Sequence, residues 1–149
     1  MERTFSIAPT SSASLVAIAA IGVLLLLIIG LLAFSGYSSR NVKFEMSDQG
    51  LSIGPALYGR FIPKDEIMKE GIQIINLNTT SAYKPRIRTN GVGLPGYAEG
   101  WFKLSSGEKA LLFVTDRSRV VYIPTTKGYS VMLSASQPDE FYEAAKQWK

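Results

Sequence analysis

The chain of 149 residues contains no cysteine and no histidine. Without cysteine it has no disulfide bond and no thiol nucleophile, and without either residue it lacks the usual zinc ligands. The absence of histidine also excludes every catalytic triad that depends on an imidazole base.

Charged residues are few and nearly balanced, with 16 Lys+Arg against 12 Asp+Glu and a formal net charge of +4. Such a mild excess fits contact with anionic lipid and fits an ordinary solvated surface about as well, and we favour the ordinary surface. We expect no nucleic-acid partner. The charges are also unevenly placed, since none lies between Arg3 and Arg40.

A long apolar run fills residues 15–34, where fourteen of twenty residues are Leu, Ile, Val or Phe. A helix of that length spans about 30 Å, the hydrocarbon thickness of a bilayer. The run is longer than the apolar region of a cleaved signal peptide, so we expect a retained anchor. We predict a polar lead at 1–14, one transmembrane helix at 15–34 and a linker at 35–41. The numbers of basic residues on the two sides of this run are nearly equal. The positive-inside rule therefore favours a cytoplasmic position of the domain only slightly.

From residue 42 onward, short apolar runs alternate with polar residues between turns, a pattern typical of β-strands. Val42, Phe44 and Met46 alternate with polar neighbours in the first of these runs. Further strands are expected at 51–53, 57–62, 72–77, 101–104, 110–115, 120–125 and 129–133. Pro124 predicts that its strand lies at a sheet edge, and residues 84–100 are expected to be irregular.

The last residues have a helical period instead. Ser136 is the expected N-cap, and Phe141, Ala144, Ala145 and Trp148 fall on one apolar stripe that would face a sheet. The predicted fold class is therefore mainly β, a small barrel or sandwich of about seven antiparallel strands closed by a C-terminal α-helix.

Three basic residues in the irregular segment alternate with apolar ones. In an extended chain Lys84, Arg86 and Arg88 share one face, which could contact a phosphate or an anionic lipid headgroup. The alternative is a solvated strand edge, where positive charge discourages edge pairing, and we favour it.

Residues 91–96 fit the G-x-G-x-x-G pattern, but a proline interrupts it and a β run follows, so we predict no dinucleotide site and no cofactor. Long loops are often functional, so this segment is the candidate partner loop. Its residues are Asn90, Gly91, Gly93, Pro95, Gly96, Tyr97 and Trp101.

Adjacent carboxylates occur at 65–66 and 139–140, where a turn and a helix start explain them. No third group is identifiable as a nucleophile or base, so we assign no catalytic or metal-binding residue and expect no enzyme. A carboxylate-based enzyme or enzyme accessory domain, and a small-ligand carrier, remain the alternatives.

The order of elements resembles the pleckstrin-homology (PH) superfold. The runs RTNGVGLPGY at 88–97, GWFKL at 100–104, ALLFVT at 110–115 and PDEF at 138–141 are similar to the bacterial PH-like domain family. The resemblance covers roughly residues 42–148, within a domain expected at 42–149. It implies a module, often attached to membrane segments, that binds lipids or proteins or assembles with itself. We therefore expect a single-pass protein of a bacterial cell membrane with a non-catalytic binding or assembly domain.

Overall fold

The computed structural model describes Arg3 and residues 11–148, so most of the predicted polar lead lies outside the described residues. The chain divides into two compact units, Met1–Tyr37 and Ser38–Lys149. Each unit is described by itself below.

Almost all described residues of the first unit belong to one long helix, α1, which spans Ser12–Asn41 and so continues past Tyr37. It begins near Ser11, whose side-chain oxygen accepts a hydrogen bond from the backbone N–H of Ser14 at 3.4 Å. Its apolar part, Ser12–Phe34, is long enough to cross a membrane and is not buried within the chain. The predicted linker at 35–41 is helical, because no proline interrupts it and each added residue gains a backbone hydrogen bond.

A three-stranded antiparallel sheet opens the second unit. Its strands, in spatial order, are β1 (Lys43–Ser47), β2 (Gly50–Gly54) and β3 (Phe61–Pro63). The strand predicted at 57–62 is therefore shorter and begins later. Tyr58 does not extend β3, because its backbone N–H and its hydroxyl donate hydrogen bonds to residues of the six-stranded sheet described next.

A six-stranded sheet forms the rest of the β structure. Its strands are β4 (Gln73–Ile75), β5 (Pro85–Leu94), β6 (Tyr97–Leu104), β7 (Lys109–Val114), β8 (Val120–Pro124) and β9 (Tyr129–Leu133). Their spatial order is β4-β8-β9-β7-β6-β5, and β7 and β9 are parallel while every other pair is antiparallel. The described residues thus contain nine strands, and the prediction that all are antiparallel is wrong.

The edge position predicted for the strand with Pro124 is also wrong, because β8 lies between β4 and β9. β4 is short and pairs only with Val120, Val121 and Tyr122. Pro124 therefore lies beyond the end of β4, where its missing N–H breaks no hydrogen bond of the ladder.

The C-terminal helix, α2, spans Pro138–Lys146 and confirms the predicted closing element. Its N-cap is Gln137 rather than Ser136, and Gln137 donates a side-chain hydrogen bond to Glu140 at 3.0 Å. Ala144 is exposed, so the predicted stripe is wrong at that position.

The helix packs on the core through Phe141, Tyr142 and the buried Ala145. Trp148 follows the end of the helix, and its indole N–H donates to the carbonyl of Ser47 in β1 at 2.7 Å. α2 and Trp148 therefore close one side of the core.

The six-stranded sheet is covered on both faces. One face carries Leu111, Val121 and Val131 and packs against the three-stranded sheet and α2. The other face carries Leu112, Met132 and their neighbours. The chain between β4 and β5 covers this second face, and Tyr83 in that segment stacks on Tyr122 of β8 with ring centroids 4.7 Å apart.

Candidate functional site

The segment expected to be irregular is a β-hairpin made of β5 and β6. Pro95 and Gly96 form its two-residue turn, and Gly96 has a φ of 75°. Proline followed by a residue with positive φ is the signature of a type II turn. The candidate partner residues thus lie on β5 (Asn90, Gly91, Gly93), in the turn (Pro95, Gly96) and on β6 (Tyr97, Trp101).

A pair of glycines lets the two strands of this hairpin approach closely. Gly91 lies opposite Gly100 in the ladder. Gly100 has a φ of 106°, and a Cβ placed there would lie 2.5 Å from the carbonyl oxygen of Asn90 and 2.6 Å from the Cα of Gly91. A side chain cannot be accommodated at this crossing without moving the backbone.

β5 is the outermost strand of its sheet, so among the described residues its second side has no strand partner. The two-residue turn makes Leu94 and Tyr97 a hydrogen-bonded pair. Because hydrogen-bonded and non-hydrogen-bonded pairs alternate in an antiparallel ladder, the N–H and C=O groups of Gly91 and Gly93 point to the open side. We call residues 90–94 the glycine edge.

The beginning of β5 is irregular, and we call residues 84–89 the basic edge. The register shifts once between Pro85 and Ile87 and again between Arg88 and Asn90, so Arg86 and Thr89 are the extra residues of two bulges. Arg88 lies opposite Phe102.

Bulges break the alternation that would have placed all three cations on one regular face. Lys84, Arg86 and Arg88 are all exposed, but Lys84 precedes β5 and Arg86 occupies a bulge. The three residues therefore lie along one sheet edge. They do not form the single basic face that a regular strand would present.

A buried acid was missed by sequence reasoning. Glu99 on β6 is 3% exposed. Its carboxylate accepts a hydrogen bond from the hydroxyl of Tyr97 and one from the backbone N–H of Tyr58 at 3.4 Å, and the Tyr58 hydroxyl donates to Asn90 at 2.8 Å. Burial, and then the Glu99 carboxylate, raise the pKa of Tyr97. This network ties the loop before β3 to the glycine edge.

Trp101, one of the candidate partner-loop residues, is contacted by several side chains of its own domain. Arg60 lies over its ring at 4.7 Å and Lys109 at 4.3 Å, while Tyr129 packs edge-on at 5.1 Å. The indole is half-buried and packs against the core. Its principal role in the structure is therefore packing.

The two carboxylate pairs do not meet. Glu66 pairs with Lys127 at 3.4 Å, and Asp139 pairs with Arg119 at 2.5 Å. Their neighbours Asp65 and Glu140 line different clefts of about 690 and 1050 Å³. Within residues 11–148 and Arg3, no group of three or more acidic side chains is placed to hold a metal ion.

Two sheets of three and six strands with a C-terminal helix are consistent with a PH-like fold, and a long apolar helix that is a candidate membrane span precedes them. The chain belongs to the bacterial PH domain family, because the model of that family matches residues 42–148. Domains of this fold generally mediate protein or lipid interactions. No curated protein and no solved structure matches the chain.

Proposed function

We propose that this chain is a single-pass protein of a bacterial cell membrane whose PH-like domain binds a protein segment by strand addition to the glycine edge. α1 is the retained anchor in this proposal. The observation that carries it is a sheet edge whose outward-pointing backbone groups belong to Gly91 and Gly93. These groups can form main-chain hydrogen bonds with an extended segment, and neither residue has a side chain that would obstruct it.

Contrast with the basic edge supports this proposal. Proteins protect free sheet edges with bulges and charged residues, because an unprotected edge pairs with other chains. Arg86 and Arg88 and the two bulges protect residues 84–89, whereas the ladder is regular and uncharged from Asn90 to Leu94. The open part of the edge is therefore confined to five residues.

Anchoring makes so short a binding surface sufficient. Five residues provide few contacts, and a weak contact becomes effective only where the local concentration of the partner is high. A chain held at the bilayer meets other membrane proteins at such concentrations. A reporter fused after residue 149 and active on one side of the membrane tests the anchor and identifies that side. A reporter product found free of the membrane would contradict the retained anchor.

Strand addition is tested by a photo-crosslinking residue at Leu94, which is 50% exposed beside the edge, in the full chain in its own membranes. Gly93→Pro removes one outward N–H, whereas the matched Gly93→Ala keeps it. The alanine is tolerated because its Cβ would meet the Phe102 ring at 3.6 Å, an ordinary contact. We expect Gly93→Pro to abolish the crosslinked product and Gly93→Ala to retain it.

A second variant covers the possibility that Gly93→Pro disturbs the hairpin. Val92→Lys keeps every backbone donor and adds a charge to the edge, which opposes pairing. It should also reduce the crosslinked product, with a melting temperature close to that of the parent protein. Unchanged crosslinking in both variants would show that the partner does not add a strand here.

A further inference from the structure

We infer that the segment added to the glycine edge is the same edge of a second copy of this chain, paired antiparallel about a two-fold axis at Val92. This inference rests on the proposed function and names its partner. In this register Gly91 lies opposite Gly93 of the second copy, and Val92 lies opposite itself. Gly91 and Gly93 then donate and accept in both directions, which gives four intermolecular hydrogen bonds.

Other two-fold registers satisfy fewer groups. An axis at Gly93 would place Gly91 opposite Pro95, which has no N–H to donate. An axis at Gly91 would place Gly93 opposite Thr89, which lies in a bulge and donates its hydroxyl to Trp101 within its own hairpin. Only the register centred on Val92 uses the outward groups of both glycines on both copies.

The charges of the basic edge also agree with this register. Because Thr89 is the extra residue of a bulge, Arg88 lies three ladder positions from Val92, and Arg88 of one copy would lie opposite Pro95 of the other, at the hairpin turn. The two Arg88 backbones would be six positions apart along the ladder, or about 20 Å, beyond the roughly 10 Å over which exposed charges interact. The backbone positions of the cations therefore oppose pairing along residues 84–89, although the Arg88 guanidinium itself reaches Gly93, where a Cβ would lie 3.8 Å from its Nη1.

Two copies of a five-residue edge make a small interface. Stable dimers bury about 800 Å² on each partner and involve roughly 20 to 30 residues a side. We therefore expect pairing in the membrane, where the anchor concentrates the copies, and dissociation when the full chain is diluted in detergent. This concentration dependence follows from the short length of the open edge.

The absence of cysteine makes the register directly measurable, since each engineered cysteine is the only thiol in the chain. Directly opposite residues of a non-hydrogen-bonded pair have Cα atoms about 4.5 Å apart, which a disulfide can bridge. In full-length protein in membranes under mild oxidation, Val92→Cys should form a covalent dimer. Leu94→Cys alone should not, because the two copies of that residue would be about 13 Å apart.

Two further arms check the geometry. Leu94→Cys mixed with Asn90→Cys should form a disulfide between the two variants, since those positions lie opposite each other in the proposed register. Glu45→Cys, in the middle of the edge strand β1, is the matched control and should form none. We expect at least about tenfold more dimer from Val92→Cys than from Glu45→Cys. Adding Gly93→Pro should abolish it, whereas adding Gly93→Ala should not.

Equal crosslinking at Glu45 and Val92 would overturn the inference, because it would indicate random collision. Crosslinking of Leu94→Cys with itself would replace the register by another. If Val92→Cys forms no dimer while the photo-crosslinker at Leu94 still captures a different protein in a way that Gly93→Pro abolishes, self-pairing is wrong and strand addition stands. If neither product forms, both proposals fail.

Discussion

The basic edge and the glycine edge, which follow each other along the chain, differ in how well they are protected against pairing with another strand. The basic edge has two bulges and exposed cations, whereas the glycine edge has a regular ladder and no charge. Apart from Lys84, which precedes the strand, both belong to β5, whose neighbour among the described residues is β6. The difference therefore lies in the residues of the edge together with their register against β6.

The largest effect is expected where the glycine edge depends on its close approach to β6. Gly100→Ala would force a Cβ to within 2.5 Å of the Asn90 carbonyl at a φ of 106°. Steric overlap and backbone strain together should lower the free energy of unfolding by about 4 kcal/mol. Denaturant unfolding measures this, with Gly93→Ala as the control, expected within about 0.5 kcal/mol of the parent. Equal stability of the two variants would remove the distinction between these glycines.

A substitution far from β5 should change the stability of the basic edge and of the glycine edge equally. Trp148→Ala removes a half-buried indole and its hydrogen bond to Ser47, and should cost about 3 kcal/mol. Thermal melting measures the loss, and Ala144→Ser, on the exposed side of α2, is the control with an expected change below about 0.5 kcal/mol. An unchanged melting temperature for Trp148→Ala would contradict the closing role of this residue. Where the fold stays intact, disulfide formation by Val92→Cys should persist.

The buried acid beneath the glycine edge gives a smaller, pH-dependent effect. Tyr97→Phe leaves the Glu99 carboxylate with one fewer donor and should cost about 1–2 kcal/mol at neutral pH. Because folding raises the pKa of Tyr97, its hydroxyl contributes full stability below pH 10 or so, and that contribution is lost as the pH rises towards the higher folded pKa. Stability measured from about pH 9 upwards should therefore fall more steeply for the parent than for Tyr97→Phe. Parallel curves would mean that Tyr97 titrates normally.

The smallest effect is expected at the basic edge. Changing Lys84, Arg86 and Arg88 to Gln should leave stability unchanged, because all three are exposed. Binding to anionic vesicles should weaken only about threefold. If all three contacted anionic lipid at about 1 kcal/mol each, the loss would be roughly 100-fold. Sedimentation with anionic and neutral vesicles separates the two results, and the larger loss would make the basic edge a lipid site rather than edge protection.

Most strands could be located from the sequence because apolar residues alternate or cluster there, as in β7 and β9. The hairpin was missed because Gly91, Gly93 and Gly100 resemble loop residues when read locally. Their use in strands depends on the close approach of two backbones. Likewise, Pro124 is compatible with a strand that lies between two others because β4 ends before it, and the length of β4 cannot be read from Pro124.

The candidate site residues stay a prediction, but their arrangement was only partly foreseeable. The glycine-rich segment and the basic residues are adjacent in the sequence, whereas the bulges at Arg86 and Thr89 were not foreseeable, since a register shift is a relation between two strands. Glu99 was also missed, although an acid between Tyr97 and Trp101 in an apolar strand is a visible signal. Its burial became clear only when Tyr58 was brought against it from the loop before β3.

The sequence by itself determined the long apolar helix, the mainly β character of the second unit and the closing C-terminal helix, because hydrophobic periodicity and length are local properties. Tertiary structure alone decided the strand order, the parallel pairing of β7 with β9 and the open side of β5. These depend on contacts between residues distant in the chain, and so does the outward direction of the Gly91 and Gly93 backbone groups, which follows from the register of β5 against β6.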